Sequence, residues 1–249
     1  MSDTTMIVDV SQDWETACDV QQGFMHFSVP FAEGISYSAR CRQLRALGGD
    51  CYDFIPLAHN RRAFAIGDAS GKSLPAALMI ANVQSSLRTA ALFAGEYPGA
   101  VLGAVNRQLH TSSLADRFAT LFYGVYDPST RLLRYASAGH CCLMVIRRDG
   151  SLTWLDGTGF PLGLFTESIY EESTLRLCPG DTVIAYTDGV IEATNPLGVE
   201  WGVDGIKKAA VENKARRAEE VVDAIFESLD QYSQGQLTDD ATVAVMHIL

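Results

Sequence analysis

The chain has 249 residues, 47% of them hydrophobic, which is enough for the core of one large domain or two small ones. Its formal net charge is −11 and no basic run exceeds two residues, which argues against a nucleic-acid partner, because such partners select a basic face. No apolar stretch approaches the ~20 residues that cross a bilayer, and the acidic N-terminus lacks the pattern of a signal peptide. We therefore expect a cytoplasmic protein whose six cysteines are reduced and mostly buried, since they form no C-x-x-C pair.

The first half of the chain mixes helical and extended patterns. Apolar residues at helical spacing predict a helix over residues 12–27 with one apolar face: Trp14, Ala17, Cys18, Gln21 and Phe24. Period-two alternation predicts three strands, the last two joined by a hairpin at His59-Asn60: residues 34–42, 51–57 and 62–67. Ser73 is expected to cap a helix over residues 76–93, which is apolar almost all round and therefore predicted to be buried. A second helix begins at Pro98.

The second half is mainly extended before it returns to helix. Turn-forming residues separate the predicted strands, which are residues 119–126, 132–138, 142–147, 152–155, 170–177 and 182–187. Two helices follow, over residues 203–213 and from Ala218 to Leu229, and residues 241–248 form a last strand. Consecutive hairpins favour antiparallel sheets with the helices packed outside them. The element order thus predicts an α+β layered sandwich.

Four aspartates each stand at a turn that borders an apolar run or a Gly-Gly pair: Asp50, Asp68, Asp188 and Asp239. A fold that joins these strand ends would collect carboxylates, which repel one another unless cations neutralise them. Hard divalent ions such as Mg²⁺ or Mn²⁺ prefer oxygen ligands. Each aspartate alone is more often a turn-capping residue, as Asp127, Asp149 and Asp181 are expected to be, and Asp53 and Asp240 are alternatives. The group as a whole favours metal-dependent hydrolysis.

Other chemistries find less support in the sequence. Residues 67–73 end in Gly-Lys-Ser, but a P-loop requires four residues between its glycines, whereas Gly67 and Gly71 enclose three. No Gly-x-Ser-x-Gly motif and no zinc-type Cys/His spacing occurs. His140, at a predicted strand end, is either an acid/base or, as is commoner for a lone histidine, a hydrogen-bonded structural residue.

A series of short motifs follows in order along the chain: Gln21-Gln22, Gly48-Gly49-Asp50-Cys51-Tyr52-Asp53, Gly67-Asp68-Ala69-Ser70-Gly71-Lys72, Phe118-Ala119-Thr120-Leu121-Phe122, Tyr135-Ala136-Ser137-Ala138-Gly139-His140, Pro161-Leu162-Gly163, Pro179-Gly180-Asp181, Tyr186-Thr187-Asp188-Gly189 and Asp239-Asp240-Ala241-Thr242. Over residues 20–249 this series resembles the SpoIIE/RsbU-type bacterial serine phosphatases, which belong to the metal-dependent (PPM, type 2C-like) protein phosphatases. The resemblance implies an α-β-β-α sandwich in which helices flank two mainly antiparallel sheets.

The same resemblance implies two Mn²⁺ or Mg²⁺ ions between the sheet edges. Asp68 would bridge both ions, and the carbonyl oxygen of Ala69 would bind one of them. Asp188 and Asp239 would complete the other site, and Asp50 would bind metal directly or through water. Asp68 and Asp188 would be catalytic in this arrangement. His140 is a candidate proton donor to the leaving serine oxygen.

The implied function is hydrolysis of a phosphoserine or phosphothreonine protein by a water that two metal ions activate. A phosphorylated STAS-type anti-sigma-factor antagonist in a partner-switching pathway is the favoured substrate. Residues 1–28 would form a helical regulatory or linker segment, able to mediate a homodimer, and residues 29–249 the phosphatase domain. Ser73, Ser137 and Cys141-Cys142 depart from the family pattern without removing a ligand. A catalytically silent phosphatase-fold binding module is the alternative.

Overall fold

The computed structural model describes residues 10–25, 34–112, 116–141, 143–157, 159–214 and 216–249. Within these residues, two five-stranded sheets are formed. In spatial order, the first sheet contains β1 (Ile35–Arg42), β10 (Ala241–Ile248), β9 (Thr182–Tyr186), β6 (Leu143–Ile146) and β7 (Leu152–Leu155). The second contains β2 (Asp50–Pro56), β3 (Arg62–Ala69), β4 (Ala119–Asp127), β5 (Leu132–Ala138) and β8 (Ser173–Arg176). Every pair of neighbouring strands is antiparallel, as predicted.

Helices cover the outer face of each sheet. Those on the second sheet are α2 (Leu74–Ala94) and α3 (Pro98–Ser112). Those on the first sheet are α4 (Asp188–Ile191), α5 (Gly202–Asn213) and α6 (Ala218–Ser233). None of the helices in the described part of the chain combines the length and apolarity that a membrane span needs. The predicted α-β-β-α sandwich is confirmed, and α4 is an element that the sequence patterns did not predict.

Three apolar clusters hold the layers together. Ile80 and Leu87 of α2 contribute to the cluster under the second sheet, and Ile225 and Phe226 of α6 to the cluster under the first. The third lies between the two sheets and includes fully buried aromatic and aliphatic side chains: Ile66, Phe122, Leu133, Leu143 and Val145. Burial of each such side chain contributes roughly 1.5–3 kcal/mol to folding. The inter-sheet cluster keeps the two sheets in the relative position on which the site depends.

The N-terminal helix α1 (Val10–Met25) contacts β2 and α2 of its own chain. The predicted helix ended at Phe27, which lies outside the described residues. Gln21 is buried, as the apolar stripe suggested, whereas Phe24 is exposed. The carbonyl oxygen of Phe24 instead accepts a hydrogen bond from Nε2 of Gln84 at 2.9 Å.

Several local expectations are wrong. The predicted all-round burial of α2 fails at Leu78, Leu92 and Phe93, which are 66%, 81% and 87% exposed, because α2 packs on the sheet with only one face. Ser73 precedes α2 but its side chain makes no capping hydrogen bond. The strand predicted over residues 170–177 is confined to β8, an edge strand that pairs with β5 alone.

The described cysteines are free but are less buried than predicted. Among them only Cys51 is buried, and Cys178 is exposed. Cys18, Cys41 and Cys141 are half-buried, and Cys142 lies outside the described residues.

Candidate metal centre

The predicted aspartates lie where the two sheets meet at one edge of the sandwich. In the second sheet, Asp50 begins β2 and is directly opposite Asp68, near the end of β3. In the first sheet, Asp188 follows β9 and begins α4, while Asp239 precedes β10, the strand paired with β9. The charges of Asp188 and Asp239 both act on Asp68. Antiparallel pairing therefore brings together carboxylates that lie far apart in sequence.

Asp50 joins the two sheets directly beneath this edge. Its Oδ2 accepts hydrogen bonds from Oγ1 of Thr187 at 2.7 Å and from Oγ1 of Thr242 at 2.6 Å, and the residue is 2% exposed. Oγ1 of Thr187 in turn accepts a hydrogen bond from the backbone N–H of Thr242 at 2.9 Å. Sequence reasoning missed both threonines, although each lies inside an aspartate motif. Asp50 thus has a structural role, and its role as a metal ligand stays a prediction.

The site crowds negative charge into a poorly hydrated space. Burial, followed by the charges of Asp188 and Asp239, raises the pKa of Asp68 to about 7. Burial, followed by the charge of Asp68, raises the pKa of Asp50 well above its usual value. Burial likewise raises the pKa of Asp188, although a hydrogen bond from the backbone N–H of Gly189 opposes the shift. A divalent cation at this edge would relieve the repulsion that these shifts express.

Gly49 leaves two predicted ligands uncovered. A Cβ atom at this position would lie 3.0 Å from the carbonyl oxygen of Ala69 and 3.3 Å from Oδ1 of Asp68. Glycine therefore keeps a carbonyl oxygen and a carboxylate oxygen open side by side. Both are the hard oxygen donors that Mg²⁺ and Mn²⁺ prefer. The site fits a metal ion because these two oxygens stay open beside Gly49.

Lys72 occupies part of the site. Its Nζ lies 2.6 Å from Oδ2 of Asp239 and donates a hydrogen bond to the carbonyl oxygen of Thr238 at 3.0 Å. Among the described residues, no three His, Cys, Asp or Glu side chains converge closely enough to enclose an ion. The aspartates therefore match divalent cations by donor type and share one edge of the sandwich, but their side chains do not yet enclose an ion. If Asp239 is a ligand, as the resemblance implies, Lys72 would have to release its Oδ2 before that oxygen could bind an ion.

The loop before Asp50 is held from two sides. Asp240 accepts hydrogen bonds from the backbone N–H groups of Leu44 and Gly49, each at 2.7 Å. Gln21 of α1 donates from Nε2 to the carbonyl oxygen of Gly48 at 2.7 Å, and its Oε1 accepts from the N–H of Gly48 at 3.1 Å. Asp240, an alternative ligand from the sequence, thus positions this loop.

Asp53, the other alternative ligand from the sequence, is engaged in an ion pair. Its two carboxylate oxygens accept hydrogen bonds from Nε and Nη2 of Arg88 at 2.6 and 2.7 Å, a bidentate ion pair. The turn aspartates Asp127 and Asp149 accept hydrogen bonds from Ser129 and Ser151, as predicted, and Asp181 accepts from the backbone N–H groups of two turn residues and pairs with an arginine.

His140 connects the two sheets beside the carboxylates. It is 6% exposed; its Nδ1 lies 3.0 Å from Oγ1 of Thr120 and its Nε2 lies 3.1 Å from the carbonyl oxygen of Tyr186. Because a carbonyl oxygen only accepts, Nε2 carries the proton and Nδ1 accepts from the threonine. Burial lowers the pKa of His140 to about 4, so the ring is neutral at pH 7.

Comparison with known sequences assigns the chain to a family. A family model described as Stage II sporulation protein E (SpoIIE) matches residues 58–249. The chain is 29% identical to phosphoserine phosphatase RsbU of Bacillus subtilis over 239 residues, which cover 96% of this chain and 70% of RsbU. Further curated relatives are matched over 24–41% of their own length.

Solved structures share the fold. The SiaA-PP2C domain of Pseudomonas aeruginosa superposes with a TM-score of 0.83 at 20% identity, and the match covers 96% of each chain. The catalytic domain of the serine/threonine protein phosphatase PstP, solved with two manganese ions, superposes with a TM-score of 0.65 at 17% identity over 86% of this chain and 98% of that one.

The two helix-flanked sheets have the fold of PP2C-type phosphatase domains. Within that class, the chain belongs to the SpoIIE family.

Proposed function

We propose that the chain is a metal-dependent serine/threonine protein phosphatase that uses two Mn²⁺ or Mg²⁺ ions. Asp68, Asp188, Asp239 and the carbonyl oxygen of Ala69 would hold the ions, with Asp50 as a direct or water-mediated ligand. The observation that carries the proposal is the open pair of oxygens beside Gly49, on Asp68 and Ala69, with the carboxylates of the other sheet close enough to raise the pKa of Asp68.

The chain's own residues prepare the site for phosphoryl transfer. When bound, two divalent ions would activate water for attack on phosphorus and offset the charge of the phosphoryl oxygens. Asp50 and its two threonine hydroxyls fix the distance between the sheets, and hence between the ligands that each sheet contributes. His140 has both ring nitrogens engaged and is neutral, so we assign it a positioning role. The leaving serine oxygen would then take its proton from solvent.

The expected substrate is a phosphoserine or phosphothreonine protein. Similarity to RsbU, which is named a phosphoserine phosphatase, supports this class. We propose a small phosphorylated STAS-type anti-sigma-factor antagonist, within a partner-switching pathway, as the physiological substrate. Residues 1–28 would act as a regulatory segment of the domain formed by residues 29–249. The contacts of Gln21 with Gly48 support such a role, and the exposed Val20 and Phe24 leave a face for a homodimer.

Phosphate release tests the proposal. We expect the protein to hydrolyse both p-nitrophenyl phosphate and a phosphoserine protein with added Mn²⁺, and to lose activity in excess chelator. Asp68→Ala and Asp188→Ala should abolish hydrolysis, whereas Asp149→Ala, at an exposed turn, is the matched control. Absence of hydrolysis by the folded wild-type protein with Mn²⁺ would contradict the proposal and favour the silent binding module.

A further inference from the structure

Arg117 lies against the loop that follows the predicted ligands Asp68 and Ala69. Its Nη1 is 3.5 Å from the carbonyl oxygen of Ser70, and a Cβ atom added to Gly71 would lie only 2.6 Å from that nitrogen. Gly71 has φ +96°, a conformation that residues with a side chain rarely adopt. Glycine at this position therefore allows the guanidinium to approach the backbone next to the metal edge.

The backbone around Arg117 is firmly held. The next residue, Phe118, accepts a hydrogen bond from the N–H of Ser70 at 2.8 Å and donates one to Oγ of Ser70 at 3.1 Å. Ala119 and Leu162 exchange two backbone hydrogen bonds, of 3.1 and 2.8 Å. These contacts fix the start of β4 between the loop that follows Asp68 and Ala69 and the loop that contains Leu162. The half-buried guanidinium thus starts from a fixed backbone position, which lowers the entropy lost when it binds a ligand.

Within the described part of the chain, no carboxylate neutralises the charge of Arg117. Two basic side chains, Arg117 and Lys72, flank the loop that follows Asp68 and Ala69. Lys72 is paired with Asp239. Arg117 makes no ion pair with any carboxylate of the described residues. Other arginines are paired with carboxylates, for example Arg88 with Asp53 and Arg147 with Asp181. An unpaired guanidinium next to an acidic site, in a chain of net charge −11, is available to an anionic ligand.

We propose that Arg117 binds the phosphoryl group of the substrate and positions it over the metal edge; this inference rests on the proposed phosphatase function. The planar guanidinium presents paired N–H donors that match two phosphate oxygens. Asp68 and Ala69 lie only a few residues before Gly71, so an anion that contacts both Arg117 and ions held there has to be compact. A phosphoryl group meets that requirement, because its three oxygens can contact the paired guanidinium donors and the ions at the same time.

Binding of inorganic phosphate to the Mg²⁺-loaded protein, measured by isothermal titration calorimetry, tests this assignment without relying on turnover. A hydrogen bond to a charged group is worth about 1.5–3 kcal/mol, so Arg117→Gln should weaken phosphate binding about 10- to 100-fold. Arg117→Lys, which retains the charge but not the paired donors, should be intermediate. Arg107→Gln removes an exposed arginine of α3 and should leave phosphate binding unchanged.

The kinetic counterpart is the KM of Arg117→Gln, which should rise by a similar factor for both p-nitrophenyl phosphate and a phosphoserine protein, with an unchanged Mg²⁺ requirement. A phosphate Kd within twofold of wild type in a folded Arg117→Gln protein would overturn the inference. An effect confined to the protein substrate would also overturn it, because Arg117 would then contact another part of the partner. If the wild-type protein neither binds nor releases phosphate, the proposed function itself fails.

Discussion

Ser73 carries backbone strain that glycine would remove. It has φ 63° and ψ −144°, a region of backbone conformation that residues with a Cβ atom occupy at a cost of roughly 1–3 kcal/mol. Its hydroxyl makes no capping hydrogen bond with α2 that would offset this cost. Glycine at this position would lose about 0.5–1 kcal/mol through the greater entropy of the unfolded chain. The difference predicts that Ser73→Gly raises the free energy of unfolding by about 1 kcal/mol, or the Tm by roughly 2–4 °C.

Thermal and urea unfolding in excess chelator measure this change without a contribution from bound metal. Ser73→Ala is the matched control, because it also removes the hydroxyl but keeps the Cβ atom that causes the strain. We expect this control to remain within about 0.5 kcal/mol of wild type. Equal stabilisation by alanine and glycine, or destabilisation by glycine, would refute the strain that we assign to Ser73.

The carboxylate edge and its neighbours supply the other tests. Lys72→Ala should lower the half-saturating Mn²⁺ concentration up to about fivefold, since it frees Asp239 from an exposed ion pair; calorimetry should show no ATP binding to either protein. Burial and the neighbouring carboxylates raise the pKa of Asp68 from its ordinary value of 3.8 to about 7 in the folded protein, so metal-free wild type should lose stability as the pH rises from about 4 to about 7. Asp68→Asn should reduce that loss in urea titrations at pH 5 and pH 8, while the raised pKa values of Asp50 and Asp188 preserve part of it. Gln21→Ala removes two hydrogen bonds to Gly48 and should raise the Mn²⁺ requirement; an unchanged requirement and an unchanged mass in light scattering would make α1 a simple tether.

The sequence predicted the strand ends better than the contacts between them. Apolar alternation and turn residues are local signals, and they correctly located Asp50, Asp68, Asp188 and Asp239 at the ends of elements. The resemblance to the phosphatases added the two-sheet arrangement that brings these ends together. Because the α2 sequence is apolar almost all round, its pattern does not show which face packs on the sheet, and Leu92 is exposed contrary to the prediction.

Long-range side-chain contacts were the main omission. Asp50 is 137 residues from Thr187 and 192 residues from Thr242, so no local pattern links their hydrogen bonds. The approach of Arg117 to Gly71 depends in the same way on the pairing of β3 with β4. Such contacts follow from the sheet register, which the strand patterns alone do not specify.

Calorimetric titration of Mn²⁺ into the metal-free protein tests the central claim most directly, because it counts ions instead of inferring them from activity. Wild type should bind two Mn²⁺ ions per chain. Asp68→Asn, which removes the carboxylate expected to bridge both ions, should lose binding at both sites, while Asp149→Asn should bind like wild type. Wild-type protein that binds no Mn²⁺, or an Asp68→Asn variant that binds two ions with wild-type affinity, would contradict the metal site described above.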